Sequence, residues 1–145
     1  MPDRDAQDLR IEAVLGDDED LGFDEAVAVF FKHLKANLQW PCEVTGIEDF
    51  RWEEPYVLGG WDQGEYEQLK KTQPSYEDRY ELLEIRAEGW SEWMLFYGED
   101  LAAHVRRVSD GKEFILGLSE LEATDKKSPN HQLIDDYAVW FVNSR

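Results

Sequence analysis

Seven carboxylates fall within residues 46–69, GIEDFRWEEPYVLGGWDQGEYEQL, beside a single arginine and five aromatic side chains. The acids arrive as Glu48 and Asp49, then Glu53 and Glu54, then Asp62, Glu65 and Glu67. Carboxylates crowded onto a segment of irregular pattern are hard oxygen donors. The ion that suits them is a divalent cation, calcium above all, which takes roughly six to eight oxygens on pliable backbone. A solvated acidic linker would carry few rings. Here Trp52, Tyr56, Trp61 and Tyr66 interleave with the acids, and rings of that size can pin a segment against a core. Pinned carboxylates cannot swing apart, and a bound cation would relieve their repulsion. Glu48, Asp49, Glu53, Glu54, Asp62, Glu65 and Glu67 are therefore the candidate metal ligands, with Ca²⁺ the expected ion.

A second acidic run, GDDEDLGFDE, holds Asp17, Asp18, Glu19, Asp20, Asp24 and Glu25. Set on the EF-hand template from Asp17, it places Gly22 correctly at the sixth position. Leu21 then occupies the fifth position and Ala28 the twelfth, where the bidentate glutamate belongs. It is not an EF-hand, and its plainest reading is a solvated lead-in to a helix.

Catalytic constellations are not evident. The chain has no glycine-rich phosphate loop and no serine nucleophile elbow. His33, His104 and His131 have no metal-ligand spacing to one another or to Cys42, which argues against a zinc site. Cys42, after a Trp-Pro pair, is expected to pack as a small apolar residue. The expectation is a protein that is not an enzyme.

With 15 basic and 33 acidic residues among 145, the formal charge is −18. That excess repels nucleic-acid phosphates and anionic lipid surfaces, and it selects cations or basic protein surfaces as partners. A hydrophobic content of 42% with six tryptophans marks a folded chain rather than an acidic disordered one. One cysteine excludes an internal disulfide. The start lacks the layout of a signal peptide, and no apolar run approaches the roughly 18 residues of a membrane span, so the expected location is the cytoplasm.

The elements that must position the acids follow from periodicity. A short amphipathic stretch, LRIEAVLG, lies in an acidic segment, residues 1–20, expected to be loosely attached. Residues 17–38 read as the first clear helix, with Val27, Phe30, Phe31, Leu34 and Leu38 on one stripe and Pro41 as its stop. CEVTGIEDF, with Val44 and Thr45, reads as a strand entry ending at a turn, and GEYEQLKK as a short helix. Further strands are expected at YELLEIRA, SEWMLFYG, AHVRRV and EFILGLSEL, the last two joined by Ser-Asp-Gly, a hairpin signal. SPNHQLIDDYAVWFV reads as a closing helix with Leu133, Tyr137, Trp140 and Phe141 on one face. The fold class is α+β. A single domain over 1–145 carries about five short antiparallel strands, open or curled into a small barrel, with an N-terminal and a C-terminal helix.

Two stretches carry a family resemblance. FDEAVAVFFKHLKANLQWPCEVTG resembles the start of the small acidic bacterial calcium-binding proteins of the CcbP type. FILGLSELEATDKKSPNHQLIDDYAVWF is similar to that family's closing pattern of a strand, a Leu-Ser-x-Leu-Glu turn and an acidic helix ending in aromatics. Together they cover about a third of the chain, at its two ends. The resemblance implies a cytoplasmic, non-EF-hand calcium buffer or signalling component. It carries no ligands over to residues 46–100, so the candidate ligands rest on carboxylate density alone. The alternative is an acidic interaction module, such as an inhibitor or immunity-type protein that covers a basic partner surface with acids and rings.

Overall fold

The spacing of Ala26, Val27, Phe30 and Leu34 puts four apolar residues on one face of helix α2 (Phe23–Asn37), and all four are buried. Asp24 and Glu25 in its first turn complement the positive end of the helix dipole. Helix α5 (Pro129–Ser144) lies against it, burying Ile134, Tyr137, Ala138 and Phe141. The seam between them is aromatic. Phe23 stacks on Trp140 at 5.4 Å, and Phe30 meets Tyr137 edge-on at 5.5 Å. Of the residues read as apolar stripes, Phe30, Leu34 and Phe141 are at most 1% exposed, and Trp140 is half-buried.

The computed structural model describes residues 5–16, 20–96 and 99–144. Within the N-terminal segment, residues Ala6–Leu15 form helix α1, capped by Asp5, whose carboxylate accepts from the Asp8 amide at 2.8 Å. Ile11, Val14 and Leu15 pack on the core, and Arg10 bonds both oxygens of Asp136 on α5 at 2.9 and 3.0 Å. Asp17, Asp18 and Glu19 lie outside the described residues.

Five strands follow: β1 (Cys42–Gly46), β2 (Arg79–Arg86), β3 (Ala102–Arg107), β4 (Glu113–Gly117) and β5 (Leu121–Ala123). They pair antiparallel in the order β4-β3-β2-β1-β5. The sheet is open, so the α+β class holds and the barrel alternative does not. Register on β2 shifts between Leu82 and Glu84. That irregularity absorbs one residue and lets Leu82 and Ile85 both face the core, where strict alternation would send one to solvent. The β3–β4 turn uses Gly111 at φ 78°, a conformation that suits glycine.

Two strand expectations are corrected. SEWMLFYG is not a strand: its described residues, 91–96, form turns. The Ser91 hydroxyl bonds the Ile115 carbonyl, Met94 is buried, and the Met94 amide returns to the Ser91 carbonyl at 3.2 Å. A serine that caps its own turn competes with ladder pairing. EFILGLSEL is not one strand but two, β4 and β5, separated by a 3₁₀ turn at Leu118–Glu120. The second piece crosses to the far edge and pairs with β1, so the strand number stands with a different fifth member.

Candidate functional site

The segment after β1 is built on one buried acid. Phe50, 1% exposed, plugs the core, and the 3₁₀ turn Arg51–Glu53 then carries Glu53 inward to complete burial. Its Oε1 accepts from the amides of Phe50 at 3.2 Å and Tyr76 at 2.8 Å. Its Oε2 accepts from the hydroxyls of Tyr66 at 2.6 Å and Ser75 at 2.7 Å. Burial pushes the Glu53 carboxyl up from its ordinary range, while the four donors pull it back down. Tyr66 is pushed up in turn, by its own burial and then by Glu53.

Rings complete the lobe formed by helices α3 (Glu54–Val57) and α4 (Gln63–Leu69). Tyr56 and Tyr66 stack at 5.2 Å with planes 9° apart. Trp52 sits edge-on to both, and Trp61 edge-on to Tyr56. The Trp52 indole N–H donates to the Pro74 carbonyl at 2.6 Å and ties the stack to the loop before β2. Glu53 and the rings therefore anchor the acidic segment together.

The remaining candidate ligands are dispersed over that lobe and its approach. Glu54 is exposed in the first turn of α3. Asp62 caps α4, accepting from the amides of Gly64 at 2.8 Å and Glu65 at 3.3 Å. Glu65 accepts from the Tyr56 hydroxyl at 3.1 Å, and Glu67 pairs with Lys70 at 2.9 Å. Glu48 and Asp49 are separate from these. They line a groove beside α5 together with Glu120 and Asp135. Among the described residues, no three His, Cys, Asp or Glu side chains are gathered as a metal cage.

Sequence reading missed a second buried carboxylate site. Asp100, 3% exposed, accepts from the Ser119 amide, the Ser119 hydroxyl at 2.6 Å and the Tyr137 hydroxyl at 2.7 Å. Glu120 reaches the same place, accepting from the Leu95 amide at 3.1 Å. A β-carbon on Gly117 would lie 2.6 Å from Asp100 Oδ2 and 2.7 Å from Glu120 Oε2, so glycine lets both carboxylates keep their positions and a larger residue would push one aside. Burial pushes Asp100 up to about 6. Burial, and then the charge of Asp100, push Glu120 up to about 7. One signal could have found it: Glu120 is a lone acid between Leu118 and Leu121, in a run otherwise apolar enough to be core.

The other chemistry-bearing side chains are engaged structurally. Cys42 is buried, and burial pushes its thiol up to about 11, so it packs as a small apolar group. His104 Nε2 lies 2.7 Å from Glu113 on the neighbouring strand, and His33 Nδ1 lies 3.3 Å from the Asn37 amide. Arg107, 2% exposed, bonds Asp78 and Asp110 and the carbonyls of Lys70, Lys71 and Gln73. Its guanidinium holds the Asp110 carboxyl down at about 2. No described helix is long and apolar enough to cross a membrane.

No family model matches the chain, and no curated protein matches its sequence. Solved structures do match its fold. The crystal structure of CcbP from Anabaena is 18% identical, with a TM-score of 0.55, and the match covers 96% of this chain and 92% of that one. A structure described as a calcium binding protein in the calcium-binding form is also 18% identical, with a TM-score of 0.58 over 97% of this chain and 94% of the other. At that identity the likeness establishes the architecture: this chain adopts a fold similar to that of Anabaena CcbP.

Proposed function

We propose that this protein binds calcium ions through carboxylates of the 48–67 segment, without enzymatic activity, as a cytoplasmic buffer or signalling component. The observation that carries the reading is the match in fold, along 97% of the chain, to a protein described as calcium-binding in its calcium-binding form. The formal charge of −18 supports it, because the folded state gains from any cation that relieves self-repulsion. Glu53 serves as the anchor, since four donors already occupy its oxygens. Glu48, Asp49, Glu54, Asp62, Glu65 and Glu67 are the donors offered to the ion. Calcium takes oxygens at about 2.3–2.6 Å in irregular geometry, so these side chains must swing together on binding, with water and backbone carbonyls completing the shell.

Calorimetric titration with calcium, and separately with magnesium, tests the reading, backed by thermal melts. An ion that binds only the folded chain adds about 2.7 kcal/mol at a hundredfold excess over its dissociation constant. For a chain of this size that is a rise in Tm of roughly 5–10 °C. Sodium at matched ionic strength controls for screening. The triple variant Glu54→Gln, Asp62→Asn, Glu67→Gln, all on the lobe, should lose most of the calcium-specific shift. A full shift in that variant would relocate the site, and no heat and no shift beyond sodium would sink the function.

A further inference from the structure

Along the outer face of α5 runs a groove of about 450 Å³. Its floor is apolar, formed by Ile47, Leu95, Phe96, Val139 and Val142. Ile47 and Leu95 are each 42% exposed, and Val142 is 57% exposed. Four carboxylates line the same groove, Glu48, Asp49, Glu120 and Asp135, and among the described residues no lysine or arginine does. Two of the four accept neutral donors only in part: Asp135 bonds the Gln7 amide at 2.8 Å, and Glu120 the Leu95 amide. An apolar floor ringed by acids is neither a packed surface nor a solvated one.

We propose that this groove docks a cationic amphipathic segment of another protein, its apolar side chains entering between α5 and the 91–96 turns while its lysines or arginines meet Glu48, Asp49 and Asp135. Charge decides the occupant. A neutral or acidic apolar segment would desolvate the rim carboxylates and leave them unpaired, which costs more than the floor returns. A second copy of this chain would meet the groove with the same patch, as two-fold interfaces do, and would set carboxylates against carboxylates on two molecules of charge −18 each. A metal ion alone would leave the apolar floor uncovered. A cationic amphipathic segment satisfies both parts at once, the mode in which amphipathic helices fill apolar grooves. This inference does not rest on calcium binding.

The test uses a fluorescently labelled amphipathic peptide of leucine and lysine, titrated with the full chain in the presence of a calcium chelator and read by anisotropy. A scrambled peptide of the same composition and a leucine–glutamate peptide of the same pattern serve as comparisons. Binding is expected for the patterned cationic peptide and should be weaker by about tenfold or more for both others. Val142→Asn, which thins the floor, and the pair Glu48→Gln with Asp49→Asn, which thins the rim, should each weaken it by about five- to tenfold, the second effect fading as salt rises. Glu84→Gln with Glu88→Gln removes the same charge away from the groove and should change little. Equal loss in the two charge pairs, tight binding of the scrambled peptide, or no binding at all would overturn the proposal. So would a dimer seen by sedimentation and dispersed by Val142→Asn, because the groove would then belong to a second copy.

Discussion

The meeting of Asp100 and Glu120 over Gly117 makes stability depend on pH in a direction that can be fixed in advance. Both carboxyls are held above their ordinary values, Asp100 up to about 6 and Glu120 up to about 7, chiefly by burial. A folded-state value above the unfolded one means that the folded chain prefers the protonated form. The corresponding stabilisation is complete below about pH 4 and is lost as pH rises through 6 and 7. Each such group costs the folded chain about 1.4 kcal/mol for every pH unit climbed between its unfolded and folded values. Together the two remove roughly 3–4 kcal/mol between about pH 5 and pH 8. Carboxylates of ordinary acidity have finished titrating by about pH 6, so their repulsion changes little over most of that window. Glu120→Gln isolates the effect, since the amide keeps a carbonyl oxygen for the Leu95 N–H and carries no charge. The variant should match the wild type near pH 5 and exceed it by about 2 kcal/mol at pH 8, a gain in Tm of roughly 4–8 °C. Urea unfolding followed by tryptophan fluorescence, at fixed ionic strength and four pH values, reads this directly. A Glu120→Gln slope parallel to that of the wild type would refute the assignment.

Glu53→Gln should destabilise by about 2–4 kcal/mol, because an amide cannot accept from all four donors that Glu53 serves; urea unfolding measures it. Arg107→Met should cost about 3–5 kcal/mol, leaving Asp78, Asp110 and three carbonyls without their cation, and the loss should appear in the same assay. Gly46→Ala should cost about 1–3 kcal/mol or prevent folding, because the added carbon would sit 2.6–2.8 Å from the Cα, Cβ and carbonyl oxygen of Tyr76, and backbone cannot move aside as a side-chain tip can; a lowered Tm or insoluble expression would register it.

Helices α2 and α5 were legible because their apolar stripes are long and single-sided. Phe30 with Leu34, and Tyr137 with Phe141, repeat at helical spacing over several turns, and no other conformation buries them together. The β3–β4 hairpin was legible for a similar reason, Asp110-Gly111 being turn chemistry between two apolar runs. Residues 91–96 were not legible, because Trp93, Met94 and Phe96 have strand composition while a serine hydroxyl decides the turn, and hydroxyl direction leaves no mark on periodicity. The same limit applies to the acids. Composition located the crowded segment and the rings that hold it, but nothing in GIEDFRWEEPY separates Glu53, which is wholly buried, from Glu54 beside it, which is exposed. That difference is set by the donors of Tyr66, Ser75 and Tyr76, which lie far along the chain.

The distribution of donors also explains where the charge of this protein is left unmet. Each buried acid has its own supply: hydroxyls and amides around Glu53, Tyr137 and Ser119 around Asp100, and Arg10 with Gln7 around Asp136. The buried cation Arg107 consumes two more carboxylates, Asp78 and Asp110. Around these buried acids the fold fixes the donors. The lobe carboxylates Glu54, Asp62, Glu65 and Glu67 are exposed, as is Glu48 at the α5 groove, where Asp49 and Asp135 are half-buried. The charge that suits a ligand from solution is positive in both places. At the lobe, the proposed ligand is a small hard ion that meets exposed oxygens. At the groove, the apolar floor favours a cation that brings its own hydrophobic face.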